Sequence, residues 1–320
     1  MKPYKLPRWF FLIFLAVILL LVVGGTWFFI AQRELLQKNA ENNLLTIAQS
    51  KVDQIASWRR NQVAEGRELM TSLFFIQDVA DWLESGNPEN TQMILARFKS
   101  LQDHYGYFDV LLVSPQGQPL LSLNNDLAPL DIETSNTLKE AMASGESMLT
   151  DLHIDEKVQS PYICVIAPLI IRLDGKQTQL GAVILINDAR DFLYPLIQSW
   201  PTPSKTAETL LVERDGDEVL FLNDLRHQAD TALKMRVILS ETNVPAVKVV
   251  LGEKGIVTGL DYRGVEVLSA LMPVPDSPWF MVAKVDTAEA LAVWRTSATL
   301  IVALLLGFIG TIAGTAVVFW

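Results

Sequence analysis

LLVSPQGQPLLSL (residues 111–123) and LLVERDGDEVLFL (residues 210–222) are two versions of one pattern. Each is an apolar run, a polar turn holding a glycine, and a second apolar run, which is how a β-hairpin is written. Gly117 and Gly216 supply the positive φ that such turns require. Aligning residues 108–123 with 207–222 leaves six of sixteen positions identical: Leu111/Leu210, Leu112/Leu211, Val113/Val212, Gly117/Gly216, Leu121/Leu220 and Leu123/Leu222. The likeness extends to the close of each half. YICVIAPLI (162–170) parallels VLSALMPV (267–274), with Pro168 over Pro273, and GAVILIND (181–188) parallels WFMVAKVD (279–286). Both final runs stop at an aspartate, Asp188 and Asp286. DYRG (261–264) is the turn that enters the long strand of the second half. The chain is therefore expected to be α+β, with two similar modules in tandem, each a five- or six-stranded antiparallel sheet with helices on its faces.

Between the halves, Phe192, Leu193, Leu196 and Ile197 give a short helix, which Pro201 and Pro203 must end. Ahead of both halves, residues 34–82 contain no proline and only Gly66. Leu45, Ala48, Val52, Ile55 and Trp58 recur at spacings of three and four, so a long helix runs beside the modules with its apolar face on the sheets. Part of that helix is expected to pair with a second copy, giving a homodimer. In the same helix Trp58 is read as a core residue, and Arg59 and Arg60 as solvated.

Residues 9–31 and 296–320 carry no charge, and each exceeds the roughly 20 residues that cross a bilayer core. Both are read as membrane spans. The first is longer than a signal-peptide core, and Trp27, Phe28, Phe29 and Ile30 follow its glycine pair, as in an interfacial anchor. Lys2, Lys5 and Arg8 precede it without an acid, which keeps the N-terminus in the cytoplasm. Gly310 and Gly314, extended by Ala303 and Gly307, offer a small-residue face for contact between spans. All 36 acidic residues fall between the spans, against 22 of the 26 basic ones, so that region carries about −14. Such a surface repels phosphates and excludes nucleic acid as a partner. The lone Cys164 permits no intrachain disulfide and reads as a small core residue.

The expected plan is a cytoplasmic terminus (1–8), a first span (9–31), a long helix (32–83), a membrane-distal module (84–200), a membrane-proximal module (201–290) and a second span (291–320). Residues 32–295 would lie in the periplasm or outside the cell. The cysteine usage suits a bacterial inner membrane protein. The sequence stops at Trp320 still apolar, so the output is expected to lie beyond this chain. No nucleophile elbow, HExxH or phosphate-binding loop appears, and no His/Cys spacing suggests a metal; no enzyme activity and no cofactor is expected.

On these features the chain resembles the double Cache, PAS-like sensor domains of bacterial histidine kinases, chemoreceptors and diguanylate cyclases. KVDQIASWRRNQVAEGREL (51–69) is similar to the start of their long helix, and DYRGVEVLSALMPVPDSPWFMVAKVD (261–286) to the close of their proximal module. The resemblance implies an unknown small-molecule ligand in the distal module, and movement of the second span against the first on binding. The amino-acid-binding branch uses an aromatic–arginine cluster, a tyrosine in a DPYxD-like strand and a closing aspartate. DLHID (151–155) is similar to that strand, with His153 in place of the tyrosine, and Asp188 matches the closing aspartate. Residues 133–148 hold neither Arg nor Trp, so a ligand carboxylate lacks its bidentate partner. Asp188 could instead hold an amine. The candidate ligand-binding residues are Asp151, His153, Tyr162, Asp188 and Arg190. Against them stand plainer roles: Asp188 and Asp286 as helix caps, and Arg190 as a surface ion pair. The alternative function is an exterior that binds a partner protein, with a vestigial pocket.

Overall fold

The computed structural model describes residues 8–154, 160–173 and 176–292, with isolated positions beyond. Helix α1 runs Arg8–Thr71, 64 residues, which at 1.5 Å per residue is about 96 Å. It yields at Ser72 (φ −75°, ψ 89°) to α2, Leu73–Ser85, which ends on a left-handed Gly86. A Thr–Ser pair suits such a break, because both side chains compete for backbone hydrogen bonds. Helix α3, Pro88–Tyr105, starts on an Asn87 cap that accepts from the Glu89 amide, with Pro88 in the first turn. Phe75, Ile76 and Val79 of α2 pack with Ile94, Phe98 and Leu101 of α3.

Two six-stranded antiparallel sheets follow. The first contains β1 (Asp109–Val113), β2 (Pro119–Ser122), β3 (Met148–Leu149), β4 (His153–Ile154), β5 (Pro161–Leu173) and β6 (Lys176–Asp188), in the order β2-β1-β6-β5-β3, with β4 also on β5. The second contains β7 (Glu208–Asp215), β8 (Glu218–Phe221), β9 (Arg236–Ile238), β10 (Gly255–Leu260), β11 (Glu266–Pro273) and β12 (Trp279–Asp286), in the order β10-β11-β12-β7-β8-β9. In each, the opening hairpin lies beside the last strand, which lies beside the long strand before it.

The register repeats as well. Asp109 faces Ile186 across β1–β6, as Glu208 faces Lys284 across β7–β12. Tyr162 faces Asp188 across β5–β6, as Val267 faces Asp286 across β11–β12. A sheet with both faces covered admits little slippage, because a one-residue shift would send every core side chain to the wrong face.

Helix α1 is the common spine. Its Leu44, Ala48, Val52 and Ile55 are buried with Ile163 of the first sheet and with Leu211, Leu268, Ala270 and Met281 of the second. Each Leu, Val, Ile or Met side chain among them removed from water contributes about 1.5–3 kcal/mol. Trp58 stacks on Phe192 at 5.6 Å between ring centroids. Arg59, expected to be solvated, instead holds its guanidinium 4.5 Å above the Trp279 ring, because α1 passes over β12. The opposite face of the first sheet is covered by α4 (Ile132–Ser144) through Leu138, Ala141 and Met142. That of the second is covered by α6 (Pro245–Val250) through Ala246, Val247 and Val249. Helix α5 (Leu193–Gln198) joins the halves, and α7 (Thr287–Ala290) follows β12.

Residues 9–31 form the N-terminal part of α1, and the side chains at 10–15, 18 and 21 lie outside the described residues, as does most of 293–320, including much of the expected second span. Among the described residues no helix is long and apolar enough to cross a membrane.

Candidate functional site

A cavity of about 180 Å³ opens in the first module, between the sheet face under α4 and the 123–131 loop that leads into that helix. The floor is the sheet: Leu111 from β1, Tyr162 and Cys164 from β5, and Ile184, Ile186 and Asp188 from β6. These project to one side because alternate strand residues share a face. Phe108 and Leu130 close the sides. The polar lining is acidic: Asp109, Asp126, Asp131 and Asp188, with Asn124, Thr134 and Ser160. No Lys, Arg or His is among the described residues that line it.

Asp131 is the centre of the polar arrangement. It caps α4 by accepting from the Thr134 amide at 2.9 Å, and it accepts from the Tyr162 hydroxyl at 3.2 Å. His153 Nε2 lies 3.3 Å from Asp131 Oδ1, and its Nδ1 lies 2.8 Å from the Asp151 carbonyl. The His153 ring stands edge-on to Tyr162 at 4.4 Å. Burial pushes the Asp131 carboxyl up, but the bonds from His153 and Thr134 outweigh it and hold the group well below the usual carboxylate range. Burial pushes His153 down, and the bonds to Asp131 and the Asp151 carbonyl more than reverse that. Asp109 is buried under Ser122, Asn124 and Val110 donors at 2.7–3.1 Å; burial dominates and raises its pKa.

Asp188 accepts from Ser160 Oγ at 2.9 Å and from the Arg190 amide at 2.9 Å. The Arg190 guanidinium closes on it, with Nη2 at 2.6 Å. Burial raises the Asp188 carboxyl, but the Arg190 and Ser160 contacts leave it below its ordinary value. Its side chain caps no helix, since α5 begins only at Leu193, beyond the Arg190 amide it accepts from. Asp286 sits at the N-cap position of α7 without a side-chain cap bond, because Arg263 takes its carboxylate.

Of the five sequence candidates, Tyr162 and Asp188 line the cavity. His153 stands behind it, holding Asp131. Arg190 is turned to solvent and reaches the site only through Asp188. Asp151 points elsewhere: its Oδ1 accepts from Trp279 Nε1 of the second module at 2.6 Å. Asp155, the other acid of the DLHID segment, lies outside the described residues. Asp131, Thr134, Asp109 and Asp126 also line the cavity and are not among the sequence candidates. The aspartate before a helix at Asp131 was a visible cap signal, and Asp109 aligns with Glu208 in the repeated hairpin. Cys164 is buried against Thr134, and burial raises its thiol pKa, which fits a core residue. No group of three or more His, Cys, Asp or Glu among the described residues is arranged to hold a metal ion.

Two matching sheets in tandem on one long helix, the first with a small cavity on its face, define a two-module ligand-binding domain. The family model for the Cache domain matches residues 32–294, and the chain belongs to that family, in its double form. Solved structures share the fold. The ligand binding domain of the Pseudomonas aeruginosa PAO1 amino acid chemoreceptor PctB, in complex with L-Gln, is 16% identical; the match covers 81% of this chain and 99% of that one, with a TM-score of 0.53. The sensory domain of the Campylobacter jejuni chemoreceptor Tlp3 is also 16% identical, over 81% and 98%, with a TM-score of 0.54. The P. aeruginosa PctC domain in complex with GABA is 17% identical, over 77% and 100%, with a TM-score of 0.52. At these identities the likeness is one of fold. No curated protein matches the sequence.

Proposed function

We propose that the chain is the extracytoplasmic sensing part of a bacterial transmembrane receptor, and that the first module captures a small compound bearing an ammonium group. The observation that carries this is the cavity itself: four aspartates and no cation on its described lining. Bringing a cation there relieves the repulsion of Asp126 on Asp109 and gains charge-assisted hydrogen bonds. The volume is below the roughly 300–1,000 Å³ of drug-sized sites, so the ligand is small. L-Gln and GABA, bound by the PctB and PctC domains, both pair an ammonium with a carboxylate. Among the described residues the cavity lining offers no cation to neutralise the carboxylate, which favours an amine over an α-amino acid.

Capture favours one arrangement of the first module over another, in proportion to the difference in affinity. The change passes along α1 and through the second module to the 288–295 segment and the second membrane span. Large apolar side chains at Leu19, Leu20, Trp27 and Ile30 stand exposed on α1, as a bilayer-embedded helix would present them. The receptor works as a homodimer paired along α1; sedimentation of the detergent-solubilised chain measuring a monomer throughout the micromolar range would remove that part.

The test is thermal denaturation of the full chain with a panel of small amines, amino acids and carboxylates. An amine at 100 times its Kd stabilises by about 2.7 kcal/mol, a shift of several degrees. The response disappears in Asp188→Ala and in Asp131→Asn. If only neutral or anionic compounds shift the transition, the ammonium reading fails. If no small molecule does and a periplasmic protein co-purifies, the exterior is a protein-docking module instead.

A further inference from the structure

The second module carries a buried ammonium at the register position that belongs to the cavity floor in the first. Ile186, on the cavity floor of the first module, has Lys284 as its register counterpart in the second, and Asp109 has Glu208. Lys284 is 1% exposed. Its ammonium lies 2.9 Å from Glu208 Oε2, 2.6 Å from Asp261 Oδ2 and 4.4 Å from the centroid of the Tyr262 ring. Two carboxylates and an aromatic face are how a site for a free ammonium is built. The carboxylates are themselves positioned. Glu208 also accepts from the Tyr262 hydroxyl at 3.1 Å and from the Arg226 amide, and Asp261 from Arg263 Nε at 2.8 Å.

A buried lysine is a costly way to fill a core, and the first module shows that isoleucine fills the same place. We propose that the second module contains an alkylammonium-binding site occupied by the chain's own Lys284, a tethered occupant that holds this module in its filled arrangement with no free ligand. Small-molecule response is thereby confined to the first module. The inference stands on the second module alone and survives if the first proves to take some other ligand.

The test is chemical rescue in the full chain. Lys284→Ala removes the equivalent of n-propylammonium and leaves Glu208 and Asp261 without their cation. Its melting temperature should fall by about 6–20 °C, as for a broken buried ion pair. Tens of millimolar n-propylammonium chloride should restore a large part of that loss in a saturable way. Sodium chloride and tetramethylammonium chloride at equal ionic strength should not, nor should n-propylammonium rescue Lys284→Ala combined with Glu208→Gln. Lys284→Met keeps the volume of the stem and takes ammonium chloride as the rescuing salt, so a poorly folding alanine variant does not stall the test. Rescue no greater than that of sodium chloride in whichever variant folds overturns the proposal. In the unaltered protein, reductive methylation of Lys284 at the rate of the exposed Lys234 overturns it as well.

Discussion

Asp188 and Arg190 are two residues apart and bound to each other, yet they differ in environment. The carboxylate is buried at the cavity wall, whereas the guanidinium is 60% exposed. An exposed partner is screened by water, so Arg190→Ala should cost at most about 1 kcal/mol in denaturant unfolding. Its larger effect should be on Asp188, whose carboxyl pKa should rise when followed by NMR titration, since the Arg190 side-chain bond is the largest contact that lowers it. His153 gives a second prediction. Its folded pKa lies above the unfolded value near 6.5, so its contribution is full below that pH and is lost as pH rises through the folded value. His153→Gln should flatten stability against pH over that window, and it should weaken the ligand-induced thermal shift by loosening Asp131. An unchanged pH profile would remove His153 from that role.

At the scale of elements, two glycines set how closely segments approach. A Cβ at Gly66 of α1 would lie 2.2 Å from Ser147 Oγ and 2.8 Å from Val165 Cγ1. A Cβ at Gly181 of β6 would lie 2.0 Å from the Val113 carbonyl oxygen, at a φ of 141° that L residues rarely adopt. Ser147 can rotate away, but the β1 backbone cannot. Gly66→Ala should therefore cost about 1–3 kcal/mol, less a fraction recovered in helix propensity. Gly181→Ala should cost more, with a lower melting temperature of the full chain as the readout. The reverse order would mean that the helix, not the strand bulge, is the rigid partner. The hairpins, the tandem repeat and the long helix were all legible in sequence, because turn glycines and hydrophobic periodicity act over a few residues. The break at Ser72 was not, since nothing within reach of it outweighs the helical pattern on either side. The break lets Phe75, Ile76 and Val79 of α2 pack against α3 and the first sheet.

For the whole molecule, the junction between modules decides the pH response. Glu213 of β7 is pushed up to about 8, first by burial and then by the neighbouring Asp151 charge. A carboxyl whose folded pKa is raised binds its proton more tightly when folded, so stability falls as pH rises from about 4.5 to about 8. Glu213→Gln should remove the Glu213 part of that decline in urea denaturation and leave the part that His153 contributes. Trp279→Phe should cost about 1–2 kcal/mol through the lost bond to Asp151, and hydrogen exchange in the second module should then no longer respond to ligand in the first. Sequence alone determined that this chain is two copies of one sheet beside a long helix, and which strands close each copy. Those are consequences of local pattern, repeated. It did not determine which side chains meet. Asp131 joins Tyr162 across 31 residues, Asp151 bonds Trp279 across 128, and Lys284 stands in one copy at the register position that Ile186 holds in the other. Those pairings depend on the packing of sheets, spine and loops in three dimensions, where burial and charge, not spacing along the chain, select partners.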